Sequence, residues 1–135
     1  MNNLSNKDRR LLIKYRLNQA EETIRDVELL IAHHRYRAAI NRIYYGMFYS
    51  LLALGLAYQF ETSKHVQLIG WFNKEFIHTN KIEAKYGKII NKAYNKRTKS
   101  DYDTFVDFDF ATINDMYEGM KLFISRVKVH ITNNN

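Results

Sequence analysis

The segment from Arg37 to Tyr58, RAAINRIYYGMFYSLLALGLAY, decides the fold of this chain. Its apolar side chains recur every three or four residues, which is the spacing of one face of an α-helix. One stripe comprises Ala38, Arg42, Tyr45, Tyr49, Leu52 and Leu56, and a second comprises Asn41, Tyr44, Phe48, Leu51 and Gly55. Each stripe carries one polar group near its start, Asn41 or Arg42. We therefore expect an inward-facing guanidinium that needs an anion or water as its partner.

Composition and periodicity together predict an all-α protein. The 135 residues contain no proline and only five glycines, and no segment alternates like a strand. We expect one domain with an ordered core of about 8–131 between polar tails. Helices are predicted at about 8–33, 37–58, 63–77, from 83 to an acidic loop at 101–109, and 110–131. The first two form an antiparallel hairpin, and Thr62 or Ser63 is the expected N-cap of the third.

The charge balance favours acidic partners. Lysine and arginine number 21 against 14 aspartates and glutamates, which gives a net charge of +7. Nucleic acids, nucleotides and acidic protein surfaces are the partners that such a balance favours. The absence of cysteine excludes disulfides and thiolate metal sites. The apolar run 43–58 is shorter than the roughly 20 residues of a membrane span, and no signal peptide is visible. We expect a cytoplasmic protein that does not cross a membrane.

Four short motifs resemble the HEPN domain family, which is named for nucleotide binding in higher eukaryotes and prokaryotes. They are NRIYYGMF at 41–48, Lys64-His65, NKEF at 73–76, and Arg97 followed by Asp101-Tyr102. The likeness spans roughly residues 10–130. It implies an up-and-down four-helix bundle with a short additional helix, usually a homodimer. It also implies pairing with a minimal nucleotidyltransferase, often as a toxin–antitoxin couple, and a role in handling nucleotide or RNA.

One departure from the family concerns its nuclease members, which cut RNA with an arginine followed, after four to six residues, by a histidine. The segment after Arg97 offers Asp101 in place of a histidine, and Tyr102 does not match the tyrosine that follows such a histidine. The spacing from Arg25 to His33 is too long, and that from Arg126 to His130 is too short. The resemblance therefore favours a binding module over an enzyme. A divergent ribonuclease, with Arg97 and His65 as its candidate catalytic residues, and a non-catalytic dimeric scaffold remain alternatives.

The candidate ligand-binding residues form one predicted polar pocket, with Arg42 and Arg97 holding phosphate and Asp101 orienting them. His65, Asn41 and Tyr45 complete the set. A guanidinium fork matches phosphate oxygens bidentately. The alternative is structural: a salt-bridge cluster for the arginines and Asp101, and a hydrogen-bonded core role for His65.

Two charged stretches have a functional and a structural reading. A basic patch on the fourth helix comprises Lys85, Lys88, Lys92, Lys96 and Lys99. It is either a solvated face or a surface that follows a phosphate backbone. The acidic run Asp101, Asp103, Asp107 and Asp109 could chelate a divalent cation. The phenylalanines between these acids favour a loop fixed to the core, with Asp107 or Asp109 as an N-cap. We expect no metal site and no cofactor.

Overall fold

A computed structural model describes residues 4–102 and 108–134 of the protein. Its helices are α1 Asn6–Ala32, α2 Tyr36–Ala57, α3 His65–Phe72, α4 Ala84–Tyr102 and α5 Phe110–Asn133. A π-helical turn, Asn73–Ile77, continues α3. The predicted all-α fold, a four-helix bundle with one short additional helix, is confirmed. None of these helices has the length and apolarity that are needed to cross a membrane.

Helix α2 is the centre of the bundle and packs against all four other helices. Thirteen of its 22 residues are buried, and they include Ile43, Met47 and Leu54. The stripe that contains Arg42 and Tyr45 is half-buried along most of its length, and only its last residue, Leu56, is buried. The expectation that both stripes face inward was therefore wrong for most of this one. The core-facing arc of α2, which includes Ile43, Met47 and Leu54, lies beyond the second stripe, so the Arg42 stripe lies outside this arc.

Three residues that follow helix ends adopt the left-handed backbone conformation although none of them is glycine. His34, Gln59 and Asn80 have φ values of 55°, 58° and 61°. After α1, the His34 N–H donates to Ile31 O and the Arg35 N–H donates to Leu30 O, at 3.0 and 2.8 Å. This pair of bonds is a Schellman motif, which satisfies carbonyl groups at a helix C-terminus. It turns the chain into α2 within three residues.

Some predicted helix boundaries shift. Helix α3 begins at His65 with Lys64 as its N-cap, and not at Thr62 or Ser63. The Thr62 hydroxyl accepts instead from the Lys64 N–H, at 3.1 Å, and so stabilises the turn before the helix.

The ends of α4 and α5 also differ from expectation. Helix α4 includes Asp101, because it continues to Tyr102. Helix α5 extends to Asn133, two residues beyond the predicted core. Asp109 is the N-cap of α5, as predicted, and accepts from the Thr112 N–H at 2.8 Å. Asp103 and Asp107 lie outside the described residues.

Gly55 gives the first prediction, because the turn after α2 presses against it. A Cβ at this position would lie 2.5 Å from the Phe60 carbonyl oxygen. Gly55→Ala should therefore displace the turn and lower the free energy of unfolding by about 1–3 kcal/mol, measured by urea denaturation.

Gly70→Ala is the matched control, because nothing lies within 4 Å of a Cβ at position 70. This exposed helical position should gain about 0.5–1 kcal/mol, because alanine reduces the backbone entropy of the unfolded chain. Equal effects of the two substitutions would contradict the described turn.

Candidate functional site

The two predicted arginines lie at the same end of the bundle, because α4 runs antiparallel to α2. The Arg97 Cζ is 5.2 Å from the centre of the Tyr45 ring, and the Arg42 Cζ is 5.9 Å from it. Arg42 also lies 5.8 Å from the Tyr49 ring. Tyr45 is thus the contact that Arg42 and Arg97 share.

Arg97 is held by two tyrosines and one carboxylate. Its guanidinium lies 5.5 Å from the Tyr44 ring, and its Nη2 donates to the Tyr45 hydroxyl at 3.4 Å. Its Nε lies 3.2 Å from an oxygen of Asp101, one helical turn further along α4. That Nε is buried and makes no aligned hydrogen bond. The interaction with Asp101 is therefore an ion pair without good hydrogen-bond geometry.

His65, the first residue of α3, completes an aromatic cluster. Its Nδ1 lies 2.6 Å from the Tyr44 hydroxyl, and its ring stacks on Phe48 with centroids 4.1 Å apart. Burial, and then the charge of Arg97, lowers the pKa of His65. Burial also raises the pKa of Tyr44, partly offset by Arg97. The imidazole is therefore neutral and the phenol is protonated at neutral pH, and one of their two acidic protons forms the hydrogen bond between them.

An open cleft of about 870 Å³ lies next to this cluster, between the α1–α2 turn and the end of α4. We call it the arginine cleft. It is lined by Leu30, His34, Arg35, Tyr36, Arg37, Ala38, Asn41, Arg42, Asp101 and Phe108. Three of the predicted site residues are in this lining, namely Asn41, Arg42 and Asp101. The other three, His65, Arg97 and Tyr45, lie in the aromatic cluster. Asp101 joins the two groups, because it pairs with Arg97 and lines the cleft.

Sequence reasoning missed two arginines of the cleft, Arg35 and Arg37. Arg35 lies in the predicted turn between the first two helices, and Arg37 is the first residue of the segment predicted as the second helix. The Arg37 guanidinium donates to the carbonyl oxygen and the hydroxyl of Ser100, which fastens the start of α2 to the end of α4. Two cations within three residues, at a turn that leads into a helix, were the available signal, because such a turn places neighbouring side chains together.

The described lining of the cleft carries an excess of positive charge. Among the described residues, Asp101 is the one carboxylate in this lining, and that carboxylate pairs with Arg97. Within residues 4–102 and 108–134, no carboxylate forms an ion pair with Arg35 or Arg42. The arrangement can bind an anion with guanidinium groups from two consecutive elements, the α1–α2 turn and α2.

The basic patch on α4 is partly neutralised. Lys92 pairs with Asp115 of α5 at 3.3 Å, and the Lys85 ammonium lies 5.2 Å from the Tyr86 ring. Lys88 and Lys99 are exposed, and Lys96 is half-buried. The part of the chain that the structure describes contains no group of three or more His, Asp or Glu residues that could hold a metal.

The HEPN domain family model matches residues 13–130. The chain belongs to the HEPN domain family. Among relatives of this HEPN domain, a UPF0332 protein of Thermotoga maritima is 33% identical over 117 residues, which cover 87% of this chain and 89% of the relative. A Methanocaldococcus jannaschii protein named as a "putative toxin" is 36% identical over 128 residues, 95% of each chain. A second such "putative toxin" from that organism is 31% identical over 119 residues, 88% of this chain and 81% of the relative.

Arg97 should control the titration of His65. Arg97→Ala removes a positive charge that lowers the pKa of His65, so this pKa should rise. It should stay below 6.5, because burial still disfavours the imidazolium. The measurement is the pH dependence of the His65 ring resonances by NMR. Arg42→Ala is the matched control, because Arg42 is not a cause of the shift. An equal change in both variants would contradict the assignment.

Stability of the HEPN domain should fall on mild acidification. The folded-state pKa values of His65 and His130 are both lower than the ordinary 6.5. The unfolded chain therefore binds protons first, and the free energy of unfolding decreases as the pH falls below about 6.5. Urea denaturation at pH 7.5 and 5.5 measures this effect. Equal free energies of unfolding at pH 7.5 and pH 5.5 would contradict a lowered pKa for these histidines.

Proposed function

We propose that this HEPN domain binds the phosphate groups of a nucleotide or RNA in the arginine cleft. We further propose that it acts as a homodimeric binding module paired with a minimal nucleotidyltransferase, in a toxin–antitoxin couple. The names of the two Methanocaldococcus relatives support the toxin–antitoxin assignment. The observation that carries the binding role is the excess of guanidinium groups over carboxylates among the described residues that line the cleft.

Phosphate is the ligand that this chemistry fits best. A guanidinium presents a planar fork of N–H donors that pairs with two phosphate oxygens. Arg35 and Arg42 come from the turn and from α2, so they can approach one phosphate from two sides. Asn41 adds an amide to the same lining. Asp101 limits the positive charge, but its pairing with Arg97 leaves the other cations in excess.

The ribonuclease alternative has one observation in its favour. His65 and Arg97 both lie against Tyr44 and Tyr45, although they come from different helices. Against it, the His65 Nδ1 is bonded to the Tyr44 hydroxyl and one face of the ring is covered by Phe48. Neither His65 nor Arg97 is in the lining of the cleft. This geometry favours a supporting role for both residues.

Binding of a short single-stranded RNA, followed by fluorescence anisotropy, tests the proposal. Arg42→Ala should weaken binding roughly tenfold, because a hydrogen bond to a charged group contributes about 1.5–3 kcal/mol. The slope of log affinity against log salt should also become shallower by about 0.7. Arg10→Ala is the control, since Arg10 is exposed near the opposite end of α1. Equal weakening by both substitutions would mean that the protein's net charge, and not the arginine cleft, determines RNA affinity.

A cleavage assay separates the binding module from the nuclease. The purified protein and its Arg97→Ala variant are incubated with the same RNA, and the products are resolved by electrophoresis. The binding role predicts intact RNA with both proteins. Cleavage that Arg97→Ala abolishes, in a variant with an unchanged circular dichroism spectrum, would replace the binding role with the nuclease.

The partner and the dimer are tested together by native mass spectrometry of tagged protein from the source cells. The half-exposed α2 stripe with Arg42, Tyr45, Tyr49 and Leu52 supports a second copy as its occupant. The expected masses are a homodimer and a complex with a short nucleotidyltransferase encoded in a neighbouring gene. A monomer alone would overturn the assembly while leaving RNA binding to its own test.

A further inference from the structure

A second polar pocket lies at the opposite end of the bundle. It has a volume of about 470 Å³ and is lined by Tyr58, Lys81, Arg126, His130, Asn133 and Asn134. We call it the distal pocket. The arginine cleft includes the start of α2, whereas Tyr58 follows the end of α2, 22 residues and about 33 Å further on. The two sites share no residue.

We propose that the distal pocket is a binding site for the phosphate of a small ester such as a nucleoside monophosphate. All six lining side chains are polar, and two of them are permanent cations. The volume exceeds what one phosphate fills and lies within the range of small-ligand sites. The proposal does not depend on the function proposed for the arginine cleft.

Arg126 is fixed in an orientation that leaves donors for a ligand. Its Nε donates to Glu83 at 2.8 Å, and its Nη2 donates to the carbonyl oxygen of Lys81 at 3.1 Å. The Arg126 side chain is 23% exposed. Among the described residues, Nη1 makes no hydrogen bond. A guanidinium that is already held on one edge loses little side-chain entropy when an anion binds the other.

Lys81 contributes the second cation. Its ammonium lies 5.9 Å from the Phe76 ring and forms no ion pair with any carboxylate of the described chain. Its backbone carbonyl accepts from Arg126, so the two cations are coupled in position. The carbonyl groups at the end of α5 oppose an anion with a partial charge of about one half. The positive charges of Arg126 and Lys81, after subtraction of the negative charge of Glu83, still exceed this partial charge.

The Tyr58–His130 pair supplies neutral donors. The Tyr58 hydroxyl lies 2.9 Å from Nε2 of His130, and the His130 side chain is buried. With a neutral imidazole, the pair holds two acidic protons, and only one lies between the two residues. The other remains on the tyrosine oxygen or on Nδ1. Burial, and then Arg126 and Lys81, lowers the pKa of His130, so the neutral form is favoured without a ligand.

The test is an NMR titration of the full-length protein with inorganic phosphate and with uridine 5′-monophosphate. The ring resonances of His130 report on the distal pocket, and those of His65 report on the other end of the molecule. We expect saturable shifts of His130 in the low millimolar range, with the monophosphate binding more tightly. Unmoved His130 resonances at saturating levels of both probes would overturn the proposal.

Lys81→Ala should weaken this binding at least fivefold, because it removes one of the two cations that line the pocket. Lys14→Ala removes the same charge from an exposed position of α1 outside the pocket and is the matched control. Equal affinities of the two variants would refute a distal site. Shifts of His130 by a short single-stranded RNA but not by the monophosphate would also overturn it, in favour of a polynucleotide contact.

A failure here is distinguishable from a failure at the arginine cleft. Lys81 lies outside the cleft, and Arg42 lies outside the distal pocket. If Arg42→Ala leaves RNA binding unchanged while Lys81→Ala weakens monophosphate binding, only the proposal for the arginine cleft fails. The converse pattern contradicts only the proposal for the distal pocket.

Discussion

The position of Arg97 against Tyr44 and Tyr45 is the interaction on which the arginine cleft depends. A cation over a desolvated aromatic face contributes up to about 2 kcal/mol, whereas an exposed ion pair contributes at most about 1 kcal/mol. Arg97 has two such faces and one partly exposed carboxylate, which lacks an aligned hydrogen bond. The contacts of Arg97 with the two tyrosines, together with the Arg37–Ser100 hydrogen bonds, therefore hold the last turns of α4 on α2, whereas Asp101 lies on α4 itself. Because Asp101 contributes little to this anchoring, its main effect is on the charge of the cleft.

The helices were predictable because they depend on periodicity alone. Apolar spacing placed all five helices, and Asp109 was one of two N-caps, with Asp107, that were expected before the last helix. The turns were not predictable in the same way. His34, Gln59 and Asn80 occupy left-handed positions where sequence reasoning looks for glycine. The Arg35 side chain enters the cleft only because the turn at His34 directs it there.

The site was predicted in part, and the error has a geometric cause. Two adjacent stripes on α2 were both read as inward-facing, but successive residues point about 100° apart on a helix. The core-facing arc, which includes Ile43, Met47 and Leu54, lies beyond the second stripe, so Arg42 lies at the border of the bundle and lines the cleft. Sequence spacing also brought Arg97 and Asp101 together correctly, since both lie on one helix. It could not show that His65, from another helix, bonds to Tyr44.

The two ends of the molecule each combine a tyrosine, a histidine, an arginine and a carboxylate. At one end the set is Tyr44, His65, Arg97 and Asp101, and at the other it is Tyr58, His130, Arg126 and Glu83. In each set the tyrosine comes from α2 or its C-cap, and a histidine with a lowered pKa bonds to the phenol oxygen.

The sets differ in what covers the arginine. Arg97 lies under two tyrosine rings and acts on the cleft through Asp101, whereas Arg126 lines the distal pocket directly. The two side chains are equally exposed, at 23% each, so exposure alone does not separate their roles. The difference is in the cavities: Arg35, Arg42 and Arg126 line a cleft or pocket where we propose that anions bind, whereas Arg97 packs between α4 and α2.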